Sequence, residues 1–187
     1  MRFGPEAGKQ HWLSHPFLLP RGYRPWLADQ GSLTRRLKRH CRQFAVQPVR
    51  TGFIRPNRDE IPALQLRSER AAYVREVVLH CDGRPVVFAH SVVPADSLRG
   101  PWASVTRLGC RPLGEALFSN PRVVRGRLQY RRLPPGHPLA RQARRAGIPM
   151  PAETLWARRS LFTLLGHVLM VTEVFLPAVL AIGCEKK

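Results

Sequence analysis

Two charged residues stand where a β-strand calls for apolar ones. Glu173 interrupts Leu169-Met170-Val171-Thr172-Glu173-Val174-Phe175-Leu176-Pro177, a run rich in β-branched and aromatic residues that a proline closes. A carboxylate in such a strand needs a neutralising partner, a proton or a ligand, because burying it alone is costly. Arg75 does the same in Tyr73-Val74-Arg75-Glu76-Val77-Val78-Leu79. A guanidinium is a planar fork of donors that matches a carboxylate with two parallel hydrogen bonds. Each residue keeps a second reading: Arg75 as a packed stem with its head in solvent, Glu173 as the structural partner of some arginine. The expectation is that both face one cavity and that this cavity is where the function lies.

Other chemistry is hard to find. The seven histidines include His80 and His90 flanking a hairpin, and no two have ligand-like spacing on one face. There is no Ser/His/Asp or Cys/His arrangement and no GxGxxG, Walker A, GxSxG or HExxH pattern. Cys41, Cys81, Cys110 and Cys184 are widely spaced without a CxxC, which argues against a zinc site or a disulfide framework and suits a reducing cytosol. Dinucleotide enzymes, P-loop NTPases, serine hydrolases and zincins therefore drop out.

The elements that must position Arg75 and Glu173 are mostly strands. At 187 residues the chain suits one domain. Residues 1–24 read as a loosely ordered arm and 25–182 as the folded domain. Ser32 is a candidate N-cap for a short helix from Leu33 to His40 with Leu33 and Leu37 on one face. Gln43 to Arg55 alternates as a strand bent at Pro48 or Gly52, and Asn57 to Glu69 reads as a loop. Ala71 to His80 and Pro85 to Val93 form a hairpin about Asp82-Gly83. Arg75 shares one face of its strand with Tyr73, Val77 and Leu79, while Glu76 and His80 take the other, so parity alone does not say which face is buried.

Beyond the hairpin the spacing predicts a short helical piece around Trp102 to Leu108 and a helical turn after Pro112. A strand is expected from Val123 to Leu133 and a short helix from Pro138 to Ala146. Leu155 to Leu165 and Val168 to Leu176 read as a second hairpin turning at Gly166-His167. A transmembrane reading of Leu161 to Ile182 is disfavoured by Gly166, His167, Glu173 and Pro177 inside it. The sum is α+β: about six strands, mostly antiparallel, with a few helices at the ends or on one face.

Charge is the unusual part of the composition. Lys and Arg number 31 against 12 Asp and Glu, a net charge of +19, and 27 of the 31 are arginines. Such a balance suits an anionic partner, or reflects codon bias toward arginine. The interleaved aromatics or recognisable module of a nucleic-acid binder are absent, so no specific nucleic-acid partner is expected.

Several pieces line up, in order, with one known family. They are Gly31-Ser32-Leu33-Thr34 before a basic helix, Arg50-Thr51-Gly52-Phe53, and Val74-Arg75-Glu76-Val77 followed by Cys81-Asp82-Gly83. Then come Val92-Val93-Pro94 with Leu98, Leu108-Gly109, Pro112-Leu113-Gly114 with Leu117-Phe118, Trp156-Ala157-Arg158-Arg159-Ser160, and Thr172-Glu173-Val174-Phe175-Leu176-Pro177. Over roughly Pro25 to Ala178 the chain resembles the chorismate pyruvate-lyases.

That resemblance implies a single antiparallel β-sheet with helices and flaps enclosing an internal ligand cavity, with no metal and no cofactor. It implies a cytoplasmic, monomeric enzyme that eliminates pyruvate from chorismate to give 4-hydroxybenzoate for ubiquinone biosynthesis. It implies that Arg75 holds the ring carboxylate, that Glu173 meets the 4-hydroxyl end, and that Leu33 and Leu113 line two flaps. Leu33 stands where the family pattern has methionine, a volume-conserving exchange. Other arginines, Arg158 among them, are candidates for the enolpyruvyl carboxylate. The alternative is a non-catalytic module that binds small aromatic acids, as in the ligand-binding domains of a related regulator class. Those domains normally follow a helix-turn-helix domain, which the polar region before Pro25 does not fit.

Overall fold

The computed structural model describes residues 12–16, 19–66, 72–149 and 154–182. Seven strands form one antiparallel sheet: β1 (Phe44–Ile54), β2 (Ala72–Cys81), β3 (Arg84–Val93), β4 (Val124–Arg125), β5 (Gln129–Leu133), β6 (Leu155–Leu164) and β7 (His167–Phe175). Their order is β1-β2-β3-β7-β6-β4, with β5 also paired to β6. Six short helices accompany them: α1 (Arg24–Leu27), α2 (Leu33–His40), α3 (Glu60–Ala63), α4 (Ala95–Leu98), α5 (Leu113–Ser119) and α6 (Pro138–Arg145). The α+β expectation holds, with one strand more than expected because Val123 to Leu133 breaks at Gly126 into β4 and β5.

Local chemistry explains the elements that matter for the cavity. The β2–β3 turn places Asp82 at φ 50° and Gly83 at φ 77°, a left-handed pair whose twist matches that of the flanking strands. The β6–β7 turn does the same with Leu165 at φ 50° and Gly166 at φ 79°, one residue earlier than expected. In α2, the Ser32 hydroxyl accepts from the Arg35 amide, Leu33 and Leu37 bury one stripe, and Lys38, Arg39 and His40 complement the C-terminal dipole. Pro112 stands at the N-cap of α5.

Both sheet faces are covered, so β2 and β3 are buried on both sides. α1 and α2 pack over one end of the first face, around Trp26, Leu27, Leu37, Val87 and Phe175. Trp102, Val105, Leu113 and Leu117 cover its other end, against Tyr73, Phe162 and Leu169. On the opposite face, α6 sets Leu139 and Ala143 against Phe88, Val174 and Leu176.

Three expectations need correction. Asn57 to Glu69 is not only a loop: α3 forms inside it and buries Glu60. Of the stretch expected as a loose arm, residues 1–11 lie outside those described, but Leu13 bridges Tyr130 and the Trp12 indole donates to Asp59 at 2.7 Å. Cys41 and Cys81 are not spectators either. Cys41 ends α2, Cys81 ends β2, and the two form a disulfide across 40 residues of chain, leaving Cys110 free among the described cysteines. Only the fold brings such distant residues together. No helix among the described residues is long and apolar enough to cross a membrane.

Candidate functional site

The side chains of Arg75 and Glu173 emerge from the same face of the sheet. β3 lies between their strands: Arg75 pairs with Ser91, and Glu173 pairs with Ala89 two residues away. Strand spacing and rise put their Cα atoms about 12 Å apart. Both line one cavity whose floor is this sheet face and whose roof includes the N-terminal residues of α2 and α5. Leu33 opens α2 and Leu113 opens α5, and both line the same cavity. The structure thus brings all four sequence-derived site residues together.

Arg75 is 3% exposed. Its Nη2 donates to the carbonyls of Gly109 and Arg111, each at 2.9 Å, which ties down the turn leading into α5. Burial holds its pKa below the ordinary arginine value, and the groups that oppose that shift are Tyr73 and Cys110, neither of them a carboxylate. A guanidinium nonetheless stays charged. Arg75 is therefore a desolvated cation facing the cavity without an acidic partner among the described residues, an arrangement that an incoming anion would relieve.

At the other end Glu173 is not an isolated carboxylate. Arg158, directly opposite it on β6, donates from Nε to Glu173 Oε2 at 2.5 Å. Arg158 is completely buried. Its Nη1 donates to the carbonyls of Trp26 at 2.9 Å and Asp29 at 2.7 Å, with Leu27 at 3.4 Å. These are carbonyls at and just beyond the C-terminus of α1, where a cation satisfies orphan acceptors. Its Nη2 is buried and has no hydrogen-bond partner among the described residues.

A third guanidinium completes this end. Arg125 of β4 donates from Nε to Ser160 Oγ at 2.9 Å and from Nη1 to the Gln30 and Gly31 carbonyls. It packs against the rings of Phe118 and Phe162, 5.5 and 5.4 Å from their centroids. Burial lowers its pKa, and repulsion from Arg158 adds to that effect. Sequence reasoning missed Arg125, which looked like one more arginine in a basic strand. Arg158 left a fainter signal, since it shares strand parity with Ser160 and Phe162 and so shares their face.

The roof is a pair of touching helices. A Cβ on Gly114 would fall 2.8 Å from Thr34 Oγ1, so α5 approaches α2 as closely as glycine allows. Lys38 and Glu115 form an exposed ion pair across the same seam. In this closed form the cavity volume is about 40 Å³. A water needs roughly 10–15 Å³ by that measure, so only a few fit. A ring compound is larger than this space. Of the roof helices above it, α2 and α5 meet where Gly114 approaches Thr34, beside a surface ion pair of small energy.

The reverse face carries a separate charged cluster. His90 lies between Glu76, at 3.0 Å from Nδ1, and Glu60, at 3.2 Å from Nε2. All three are buried. Burial alone would pull the imidazole down, but Glu60 and then Glu76 outweigh it and hold the pKa at about 9. Glu76 follows Arg75 in β2, and His90 precedes Ser91 in β3. The cluster therefore clamps the two central strands behind the cavity and ties them to α3.

Comparison with known proteins adds the following. A family model described as "Chorismate lyase" matches residues 13–182. A relative from Thiobacillus denitrificans named "Probable chorismate pyruvate-lyase" is 52% identical over 176 residues, covering 94% of each chain. One of the same name from Methylobacillus flagellatus is 49% identical over 167 residues, covering 89% of this chain and 93% of its own. Among solved structures, PhnF from Mycobacterium smegmatis superposes with a TM-score of 0.55 at 17% identity, covering 80% of this chain and 65% of that one. A GntR-family regulator from Bacillus cereus does so at 0.53 and 12% identity, covering 72% and 92%. At those identities the structural likeness bears on fold alone.

Proposed function

The chain belongs to the chorismate lyase family and is a lyase, and from that premise we propose that it eliminates pyruvate from chorismate in this cavity and releases 4-hydroxybenzoate. One observation carries the reading: three guanidiniums, Arg75, Arg125 and Arg158, line a closed space with a single carboxylate, Glu173. That leaves a surplus of two positive charges, which matches a small dianion. Chorismate, with a ring carboxylate and an enolpyruvyl carboxylate, is one.

In this reading Arg75 takes the ring carboxylate, because it is the buried cation without an acidic partner. Glu173 accepts from the 4-hydroxyl at the opposite end of the ring. Leu33 and Leu113 close over the ring and exclude water. The bond between ring carbon 3 and the ether oxygen breaks, carbon 4 loses its hydrogen as a proton, and the departing enolpyruvate gains a proton to become pyruvate. Aromatisation of the ring drives the step. The protein's part is to fix conformation and to place fixed positive charge where negative charge grows on the leaving group. Product leaves only when α2 and α5 part, so release is expected to limit turnover. Supply of 4-hydroxybenzoate for ubiquinone synthesis by a monomer goes with this reading.

A non-catalytic binding module is the competing function, since regulator ligand-binding domains share the fold. Incubation of purified protein with chorismate separates them. The expected result is pyruvate and 4-hydroxybenzoate in equal amounts, well above the spontaneous rate. Tight 4-hydroxybenzoate binding without turnover would instead assign the chain to the binding class.

A further inference from the structure

Resting on the lyase reading, we propose that Arg158, with Arg125 beside it, is the anchor of the enolpyruvyl carboxylate and the element that tells substrate from product. The argument begins with the ligand's connectivity. In chorismate the ether oxygen and the 4-hydroxyl sit on adjacent ring carbons, while the ring carboxylate is across the ring. Whatever group holds the enolpyruvyl arm must therefore neighbour the group that meets the hydroxyl. Arg158 is that neighbour, opposite Glu173 in register and hydrogen-bonded to it.

The donor inventory of Arg158 points the same way. Nε is used by Glu173 and Nη1 by the α1 carbonyls, whereas Nη2 has no partner in a side chain that is fully buried and lines the cavity. A buried donor left unmade is destabilising, and an acceptor delivered by the substrate removes that cost. Arg125 stands close enough to Arg158 for their charges to repel, with Ser160 and the Phe118 and Phe162 rings fixing its head. Two cations beside one carboxylate leave room for a second carboxylate.

Catalysis and selectivity follow from one placement. As the ether bond breaks, negative charge grows on the leaving enolpyruvate beside these guanidiniums, where a preorganised cation is most effective. Once pyruvate has gone, 4-hydroxybenzoate retains nothing for Arg158 Nη2 to hold. The subsite thus favours the dianion over the monoanionic product.

The test uses binding rather than turnover. The first ligand is 4-hydroxy-3-(carboxymethoxy)benzoate, which carries a second carboxylate on an ether next to the hydroxyl. Its partners are the methyl ester of that side arm and 4-hydroxybenzoate itself. In wild-type protein the diacid should bind at least about tenfold more tightly than the side-arm ester, the size of one charge-assisted hydrogen bond. R158K and R125Q should erase most of that preference, read as the ratio of diacid to ester affinity within each variant. Equal binding of diacid and ester by wild type overturns the proposal without needing any variant to fold. So does equal weakening of all three ligands in the variants, which is what a purely structural role in pinning α1 predicts. A wild type that prefers the diacid yet fails to convert chorismate would keep this subsite and reject the lyase reading.

Discussion

Replacing Arg75 with glutamine is expected to lower kcat/KM for chorismate by roughly 10- to 150-fold, the equivalent of about 1.5–3 kcal/mol for a hydrogen bond to a charged group. Affinity for 4-hydroxybenzoate should fall by a similar factor, because the ring carboxylate is common to substrate and product. The change should not destabilise the fold. Arg75 is buried without a carboxylate partner, and its two hydrogen bonds go to the Gly109 and Arg111 carbonyls. Removing an uncompensated buried cation relieves a desolvation cost, so thermal stability should hold or rise as activity falls. That opposition is the mark of a residue kept for function. Full activity in Arg75→Gln would show that the ring carboxylate is held elsewhere, and a steep loss of stability would make Arg75 structural.

Replacing His90 with phenylalanine should do the reverse. The imidazolium is the cation between Glu60 and Glu76, and its removal leaves two buried carboxylates facing each other. Breaking a buried charge cluster in this way costs about 3–5 kcal/mol, or on the order of 10 °C in Tm for a domain of this size. The pH dependence identifies the cause. In the native protein the His90 pKa is raised from 6.5 to about 9. The stability it contributes is therefore complete below pH 6.5 and is lost as pH rises through about 9. In the variant one carboxylate must take up a proton to stay buried, so stability should climb as pH falls. A flat profile between pH 6.5 and 9 in the wild type would mean that His90 is neutral in the folded state.

Much of this was legible from the chain, and the failures have physical causes. Hairpins are encoded locally: Asp82-Gly83 between alternating strands is enough, and α2 follows from Ser32 with Leu33 and Leu37. The pairing of Arg75 with Glu173 in one cavity was also within reach, because charges inside apolar strands demand an explanation. What escaped depends on partners distant in sequence. Glu60 looked like loop because its partner His90 lies 30 residues on, and Cys41 looked unpaired because Cys81 lies 40 residues on. Glu173 was expected to meet either an arginine or a ligand, with nothing local to say which arginine: Arg158 is the partner, and it pins α1 as well. Arg125 was hidden by the excess of surface arginine, since nothing local separates a guanidinium under a roof from one in water. Arg159, next to Arg158, shows how fine that distinction is: it faces the opposite side of the sheet and bonds Gln129 and Asp59.

The central claim is that one ring spans the cavity from Arg75 to Glu173. A crystal structure with 4-hydroxybenzoate bound tests it most directly. The expected density places the carboxylate on the Arg75 guanidinium and the hydroxyl within hydrogen-bond reach of Glu173, with Leu33 and Leu113 closed over the ring. A ring seated in the opposite direction, its carboxylate on Arg158, or one bound outside this cavity, would contradict the account.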